Sequence, residues 1–146
     1  MGLLAILLAI LTGIFLTTLD SHLESQTLSS VQQDGRFILS RMIYDISRAQ
    51  SITQPTSVGE SGNTLQLSID GVNYIYSLNS GNLQINNNGT VDRLNGFDTT
   101  ISNLLFQRLG NTGGKNSITV SFTITSITQK TQGSETKDFQ TTATLR

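Results

Sequence analysis

The chain begins with the uncharged stretch Met1-Gly-Leu-Leu-Ala-Ile-Leu-Leu-Ala-Ile-Leu-Thr-Gly-Ile-Phe-Leu-Thr-Thr-Leu19. Eleven of its residues are Leu, Ile or Phe. As a helix it would be about 28 Å long, close to the ~30 Å hydrocarbon core of a bilayer. Its large apolar side chains favour insertion by roughly 3–7 kcal/mol on an insertion scale. The stretch therefore predicts a helix that lies in lipid or against the apolar surface of a partner protein.

The predicted membrane or assembly surface consists of the large apolar side chains of this stretch together with Gly13. Its members are Leu3, Leu4, Ile6, Leu7, Leu8, Ile10, Leu11, Gly13, Ile14, Phe15, Leu16 and Leu19. We expect the threonines of the stretch to bond back to helix carbonyls, which makes them tolerable in lipid. The alternative is a secretory signal peptide, which needs a basic start and a small-residue cleavage site, and the stretch has neither.

The helix is predicted to continue as an amphipathic helix to about Gln50. No proline occurs between Leu19 and Ala49, and Gly35 is the only glycine there. Apolar residues recur at three- and four-residue spacing, which is typical of one helical face. The residues expected to pack this face against a sheet are Leu28, Val31, Ile38, Met42 and Ile46. Gly35 has two interpretations that the sequence leaves open, a close-packing point against a neighbour or a tolerated defect.

The charged residues of this half are expected mostly on the opposite, solvated face. They include Asp34, Arg41, Asp45 and Arg48. The spacing of Arg41 and Asp45, and of Asp45 and Arg48, suits weak ion pairs on a helix surface.

After Pro55 the apolar period changes from 3.6 to 2, which indicates strands. Asp70-Gly71 is typical of a two-residue type I′ hairpin turn, and Ser80-Gly81 predicts a second turn. The expected cross-strand pairs are Ile69 with Val72, Leu67 with Tyr74, Leu65 with Tyr76, Leu78 with Leu83 and Tyr76 with Ile85. These pairs predict a three-stranded meander with one apolar face, which we expect to receive the amphipathic helix.

Two later segments also alternate and are predicted to form an antiparallel pair. In Ile118–Thr125 the inward residues would be Ile118, Val120, Phe122 and Ile124. The second segment is Phe139–Leu145, and the polar residues 128–137 would form the loop between them. The segment Phe97–Leu109 fits either a short helix or an irregular strand.

Together these patterns predict an α+β fold in which a long N-terminal α-helix, apolar and then amphipathic, packs on an antiparallel β-sheet. The expected parts are a transmembrane or filament-core helix half (residues 1–19), an amphipathic helix half (20–50) and a β-sheet domain (51–146).

The composition offers little chemistry. A formal net charge of −1 and 13% charged residues do not indicate a positively charged surface that would bind nucleic acid. With no cysteine and one histidine, His22, the sequence supports no zinc site and no nucleophile–histidine pair. Asp92 and Asp98, with nearby asparagines, are weak calcium candidates, and an ordinary polar loop is the favoured interpretation because EF-hand spacing is absent. We expect no cofactor, no small-molecule substrate and no enzymatic activity.

The order of these features resembles the type IV pilin-like family. Ala5-Ile-Leu-Leu-Ala-Ile-Leu-Thr-Gly13 is similar to the second half of that family's apolar helix. Arg36-Phe37 followed by Asp45-Ile-Ser-Arg-Ala49 resembles W-type minor pilins and J-type pseudopilins of type II secretion. Phe139-Gln-Thr-Thr-Ala-Thr-Leu-Arg146 resembles the last strand of many prepilin-like proteins.

The resemblance implies a structural, minor subunit of a type IV pilus or type II secretion pseudopilus. Its partners would be membrane lipid before assembly and other pilin or pseudopilin subunits afterwards. Its location would be the bacterial cytoplasmic membrane and an extracytoplasmic filament. The alternative is a membrane-anchored extracytoplasmic binding or adhesin domain that does not polymerise.

One departure from the family concerns the start of the chain. The family's basic leader ending in Gly, and the Phe-Thr-Leu-x-Glu that follows it, are absent from this sequence. With Ala5–Gly13 matched as above, these elements would precede Met1, and a start codon assigned too far downstream and a fragment of a longer chain explain their absence equally well. The roles that these elements have in processing and assembly are therefore not assigned to any residue of this chain.

Overall fold

The computed structural model describes residues 2–110, 113–130 and 133–146, apart from the side chains of residues 2–5, 23, 24 and 130. A single helix, α1, runs without a break from Gly2 to Arg48. It is about 70 Å long and ends close to the predicted Gln50. It packs against antiparallel sheets, so the predicted α+β fold is confirmed.

Nine strands follow in the described part of the chain. They are β1 (Ser51–Gln54), β2 (Ser61–Gly62), β3 (Leu65–Ile69), β4 (Val72–Asn79), β5 (Asn82–Asn87), β6 (Thr90–Arg93), β7 (Thr99–Leu109), β8 (Ser117–Lys130) and β9 (Gly133–Thr144). A five-stranded sheet has the order β1-β3-β4-β5-β6, and a four-stranded sheet has the order β2-β7-β8-β9. The sequence patterns predicted β3, β4, β5, β8 and β9 and left β7 open. They did not predict β1, β2 and β6, or the division of the strands between two sheets.

The meander in the first sheet is confirmed in its register. All five predicted cross-strand pairs are present between β3, β4 and β5. The φ angles at both central residues of Asp70-Gly71 and Ser80-Gly81 are positive, as a type I′ turn requires. Asn88-Gly89 repeats this geometry and adds β6 to the sheet.

The second sheet contains the pair of later strands. The four residues predicted to point inward from β8 are all buried, and Phe122 lies opposite Phe139. The predicted loop over residues 128–137 is wrong in extent, because β8 continues to Lys130 and β9 already begins at Gly133. Most of that polar segment is paired strand.

The ambiguous segment forms strand β7. Its register against β8 shifts between Ser102 and Leu105, and Asn103 has a positive φ angle of 52°. This bulge moves the inward positions from Ile101 to Leu104, so the alternation is interrupted in mid-strand.

Helix α1 lies closest to β8 and β9 rather than to the meander, which corrects the expected docking surface. The helix passes close to β9 at Gly35, where an added Cβ would fall far inside van der Waals distance of the Phe139 ring. That ring stacks on Phe122 with 5.6 Å between the centroids. Of the two interpretations of Gly35, the structure therefore favours close packing, and the neighbour is a strand of the same chain.

The buried face of α1 differs by one position from the predicted face. Val31, Ile38, Met42 and Ile46 are fully buried. Leu28, expected beside them, is 38% exposed, and Thr27 is buried in its place. Thr27 lies one helical turn before Val31, whereas Leu28 is rotated from Thr27 by about 100°.

We expect Gly35→Ala to destabilise the domain by about 1–3 kcal/mol, because overpacking against Phe139 outweighs the better helix propensity of alanine. Urea unfolding followed by circular dichroism measures the change. Gly13→Ala is the matched control, since an added Cβ there meets nothing within 4 Å, and it should leave the midpoint unchanged. Equal midpoints for the two variants would contradict the close packing.

We also expect a chain that lacks residues 1–19 to remain folded and soluble. The described side chains of this segment are exposed and add nothing to the core. Circular dichroism of the shortened chain should show cooperative thermal unfolding with helix and strand content. An aggregated or unfolded product would show that the domain needs its apolar half in order to fold.

Candidate functional site: the projecting apolar helix

The first part of α1 projects from the domain with an apolar surface. Every described side chain from Ile6 to His22 is exposed. The large apolar members are Ile6, Leu7, Leu8, Ile10, Leu11, Ile14, Phe15, Leu16 and Leu19, of which 43–66% is accessible. The predicted members Leu3 and Leu4 lie outside the described side chains. By length and composition, α1 is long and apolar enough to cross a membrane.

The polar groups within this projecting segment are satisfied by the helix itself. The hydroxyls of Thr12, Thr17 and Thr18 each donate to the carbonyl four residues earlier, at 2.8, 2.9 and 2.8 Å. These bonds confirm the expected back-bonding and remove the main cost of placing a hydroxyl in apolar surroundings. Gly13 leaves open space at the helix surface. The segment therefore offers an apolar surface on which the helix is narrowest at Gly13, where no side chain projects.

Where the helix enters the domain, Asp34 binds the turn between β6 and β7. Its carboxylate accepts hydrogen bonds from the Gly96 N–H at 2.7 Å and the Thr99 hydroxyl at 2.5 Å. Arg93 donates to the carbonyls of Asn95, Gly96 and Thr99. The turn is thus held both to the helix and to its own strand, and this fixes the point at which the helix leaves the domain.

Near the other end of the helix, Asp45 binds the first sheet. It is 2% exposed and accepts hydrogen bonds from Arg41 Nε at 2.9 Å and from the Tyr76 hydroxyl at 2.5 Å. The predicted Arg41–Asp45 pair exists, but it is not the solvated surface pair that was expected. Burial, followed by the hydrogen bond to Asp45, raises the pKa of Tyr76 above its ordinary value. Arg48 pairs with Asp70 instead of Asp45.

Sequence reasoning missed Asp34 and Asp45 as structural groups, although a signal was present. Asp34 lies three residues after Val31 and four before Ile38, and Asp45 lies three after Met42. Both therefore fall on the apolar face instead of opposite it. A carboxylate at such a position must be hydrogen-bonded in the fold.

The calcium candidates lie on the surface. Asp92 is exposed on β6, and Asp98 is exposed just before β7. Two neighbouring amide oxygens are used within the fold, because Asn86 accepts from the Gly89 N–H and Asn95 accepts from the Leu83 N–H. Among the residues that the structure describes, no group of three or more His, Cys, Asp or Glu side chains is arranged to hold a metal ion. His22 is exposed.

We expect Tyr76→Phe to destabilise the domain by about 1–3 kcal/mol, because the buried Asp45 carboxylate loses a donor. Because the pKa of Tyr76 is raised in the folded state, the contribution of its hydroxyl to the free energy of unfolding is complete below about pH 10. That contribution is lost as the pH rises further. Urea midpoints measured from pH 8 to 11 should therefore fall less steeply for Tyr76→Phe than for the wild type. Tyr74→Phe, on the same strand, is the matched control and should keep the wild-type pH slope.

The comparisons with known proteins add no relative. No family model, no curated protein and no solved structure matches the chain. Its function is therefore argued from its own residues, above all from the apolar segment that leaves the domain at Thr27.

Proposed function

We propose that this chain is a structural subunit, in a minor role, of a type IV pilus or a type II secretion pseudopilus. The observation that carries the proposal is the division of one unbroken helix. Its first part is apolar and exposed on every described side chain up to His22, whereas its second part buries one face against the sheets and leaves the opposite face exposed. In this proposal residues 1–19 lie in the bacterial cytoplasmic membrane before assembly. They then pack against the helices of other subunits in an extracytoplasmic filament.

The apolar segment suits both environments for the same physical reason. Nine large apolar side chains from Ile6 to Leu19 are exposed, and on an insertion scale they favour lipid by about 3–5 kcal/mol. Neighbouring helices in a bundle would cover these side chains from water as well as lipid does. Gly13 allows a second helix to approach closely, as small residues do in membrane helix pairs.

The partners in this proposal are membrane lipid and other pilin or pseudopilin subunits. It assigns the chain no catalytic role, no cofactor, no nucleic acid and no small-molecule substrate. In the described part of the domain, the buried carboxylate of Asp45 and the half-buried carboxylate of Asp34 instead position the helix. A rigid connection between helix and domain is what a filament subunit needs, because the helix packing then sets the position of every domain on the filament surface.

The test is the distribution of the full chain in its native host. We expect the wild type in the membrane fraction and also in the sheared extracellular filament fraction. Ile10→Asp should be lost from both, because a carboxylate within the span costs about 3–4 kcal/mol relative to isoleucine. Ser21→Asp, just beyond the apolar stretch, is the matched control and should behave as wild type. Immunoblots of both fractions measure the outcome.

The result also separates the two functional classes. A wild-type chain that stays in the membrane fraction, and is absent from filaments that the same cells shed, would favour the anchored binding or adhesin domain. A wild-type chain found in neither fraction would contradict both.

A further inference from the structure

The chain contains two Asn-Gly sequences, and the fold places them in opposite surroundings. Asn88-Gly89 forms the turn between β5 and β6, and Asn95-Gly96 lies in the turn between β6 and β7. In an Asn-Gly sequence the glycine nitrogen readily attacks the preceding side-chain amide, because glycine has no side chain to obstruct the approach. The two sites share this chemistry and differ in how the fold holds them.

The Asn88 turn is open to solvent and lies at the edge of a sheet. Asn88, Gly89 and Thr90 are all exposed. Strand β6, which follows the turn, has four residues and is the last strand of the first sheet. A short edge strand with solvent-exposed backbone opens at a low free-energy cost. The Asn88 side chain therefore reaches the conformation that the attack requires without unfolding of the domain.

One hydrogen bond restrains the nitrogen that would attack. The Gly89 N–H donates to Asn86 Oδ1 at 2.8 Å. For the attack, this N–H must leave the Asn86 oxygen and lose its proton. Because the bond is exposed, water competes for both of its partners and the restraint is weak.

The Asn95 turn, in contrast, is closed. Asn95 is 4% exposed, its Oδ1 accepts from the Leu83 N–H at 2.9 Å, and its Nδ2 donates to the Thr99 carbonyl at 2.8 Å. The Gly96 N–H donates to the Asp34 carboxylate at 2.7 Å. The attacking nitrogen and the amide under attack are thus both fixed, and their release requires the contact between this turn and the helix to break.

We infer that Asn88 is a site of spontaneous deamidation in the folded protein, whereas Asn95 is protected. The Gly89 nitrogen forms a bond to Asn88 Cγ, the bond from Cγ to Nδ2 breaks, and ammonia leaves with the proton of the Gly89 N–H. Water then adds to either carbonyl of the resulting cyclic imide and opens it to aspartate or isoaspartate. The inference does not depend on the proposed function.

The products change the edge of the first sheet. Each adds one negative charge to a chain whose formal net charge is −1. Isoaspartate also adds a methylene group to the backbone of a two-residue turn, which Asn87 and Thr90 flank as a cross-strand pair. Because such a turn sets the strand register through its backbone geometry, the isoaspartate form should lose the pairing of β6 with β5.

The test follows both asparagines in the full chain, held in detergent micelles at mildly alkaline pH. Peptide mass spectrometry measures the deamidated fraction at each site over time, after digestion at mildly acidic pH, where ring closure is slow. We expect Asn88 to convert at least about tenfold faster than Asn95 in the folded chain. Both aspartate and isoaspartate should appear at Asn88, because the imide opens at either carbonyl.

The same chain unfolded in guanidinium chloride is the control for sequence effects, and there the two sites should convert at similar rates. An Asn88 that stays intact in the folded chain while it converts in guanidinium chloride would overturn the inference. Equal rates at Asn88 and Asn95 in the folded chain would also overturn it. A difference in rate that persists unchanged in the unfolded chain would show that the fold does not cause it, with the same consequence.

Two variants test the restraint at the turn. Asn86→Ala removes the acceptor of the Gly89 N–H and should speed the conversion of Asn88 several-fold. Asn87→Ala, in the same hairpin, leaves this hydrogen bond in place and is the matched control, with the wild-type rate expected. Circular dichroism checks that both variants fold. Equal rates for the two variants would overturn the role given to Asn86.

Discussion

The contact between helix α1 and strand β9 at Gly35 determines the rest of the arrangement. A helix with a side chain at this position could not lie so close to the Phe139 ring. The ring in turn stacks on Phe122 of β8. This contact places the helix axis directly over the second sheet, so that Val31 and Ile38 on either side of Gly35 reach full burial. Removing either of these large side chains should leave a cavity that costs about 1–5 kcal/mol.

Two carboxylates on the same helix face secure this position. Asp34 and Asp45 are eleven residues apart, which is close to three helical turns, so they point in nearly the same direction. Asp34 binds the turn that enters the second sheet, and Asp45 binds Tyr76 in the first sheet. A buried or half-buried carboxylate is expensive to leave unpaired. Their partners therefore specify both the height and the rotation of the helix, where apolar contacts alone would tolerate some sliding.

The sequence predicts the local parts of this fold well and the long-range parts poorly. The hairpin at Asp70-Gly71 follows from turn chemistry and alternation that agree within fourteen residues, so its register could be predicted pair by pair. The bulge at Asn103 shifts the alternation of β7, which is why that segment fitted a helix or a strand equally. Asp45 resembled a surface residue because its partner Tyr76 lies thirty-one positions away. Which sheet receives the helix likewise depends on the contact between Gly35 and Phe139, and no local pattern encodes that contact.

The continuity of α1 links the apolar half to the orientation of the domain. The helix has no break between Leu19 and Val31, and Asp34 and Asp45 prevent it from rotating against the sheets. Gly13 and Gly35 are twenty-two residues apart, so they lie within about 40° of each other around the helix axis. The open point at Gly13 therefore faces the same side as the sheets. A neighbouring helix that packed at Gly13 would lie on the side of α1 that carries the sheets. The opposite side of α1, where Phe37 and Tyr44 are exposed, would face away from that neighbour.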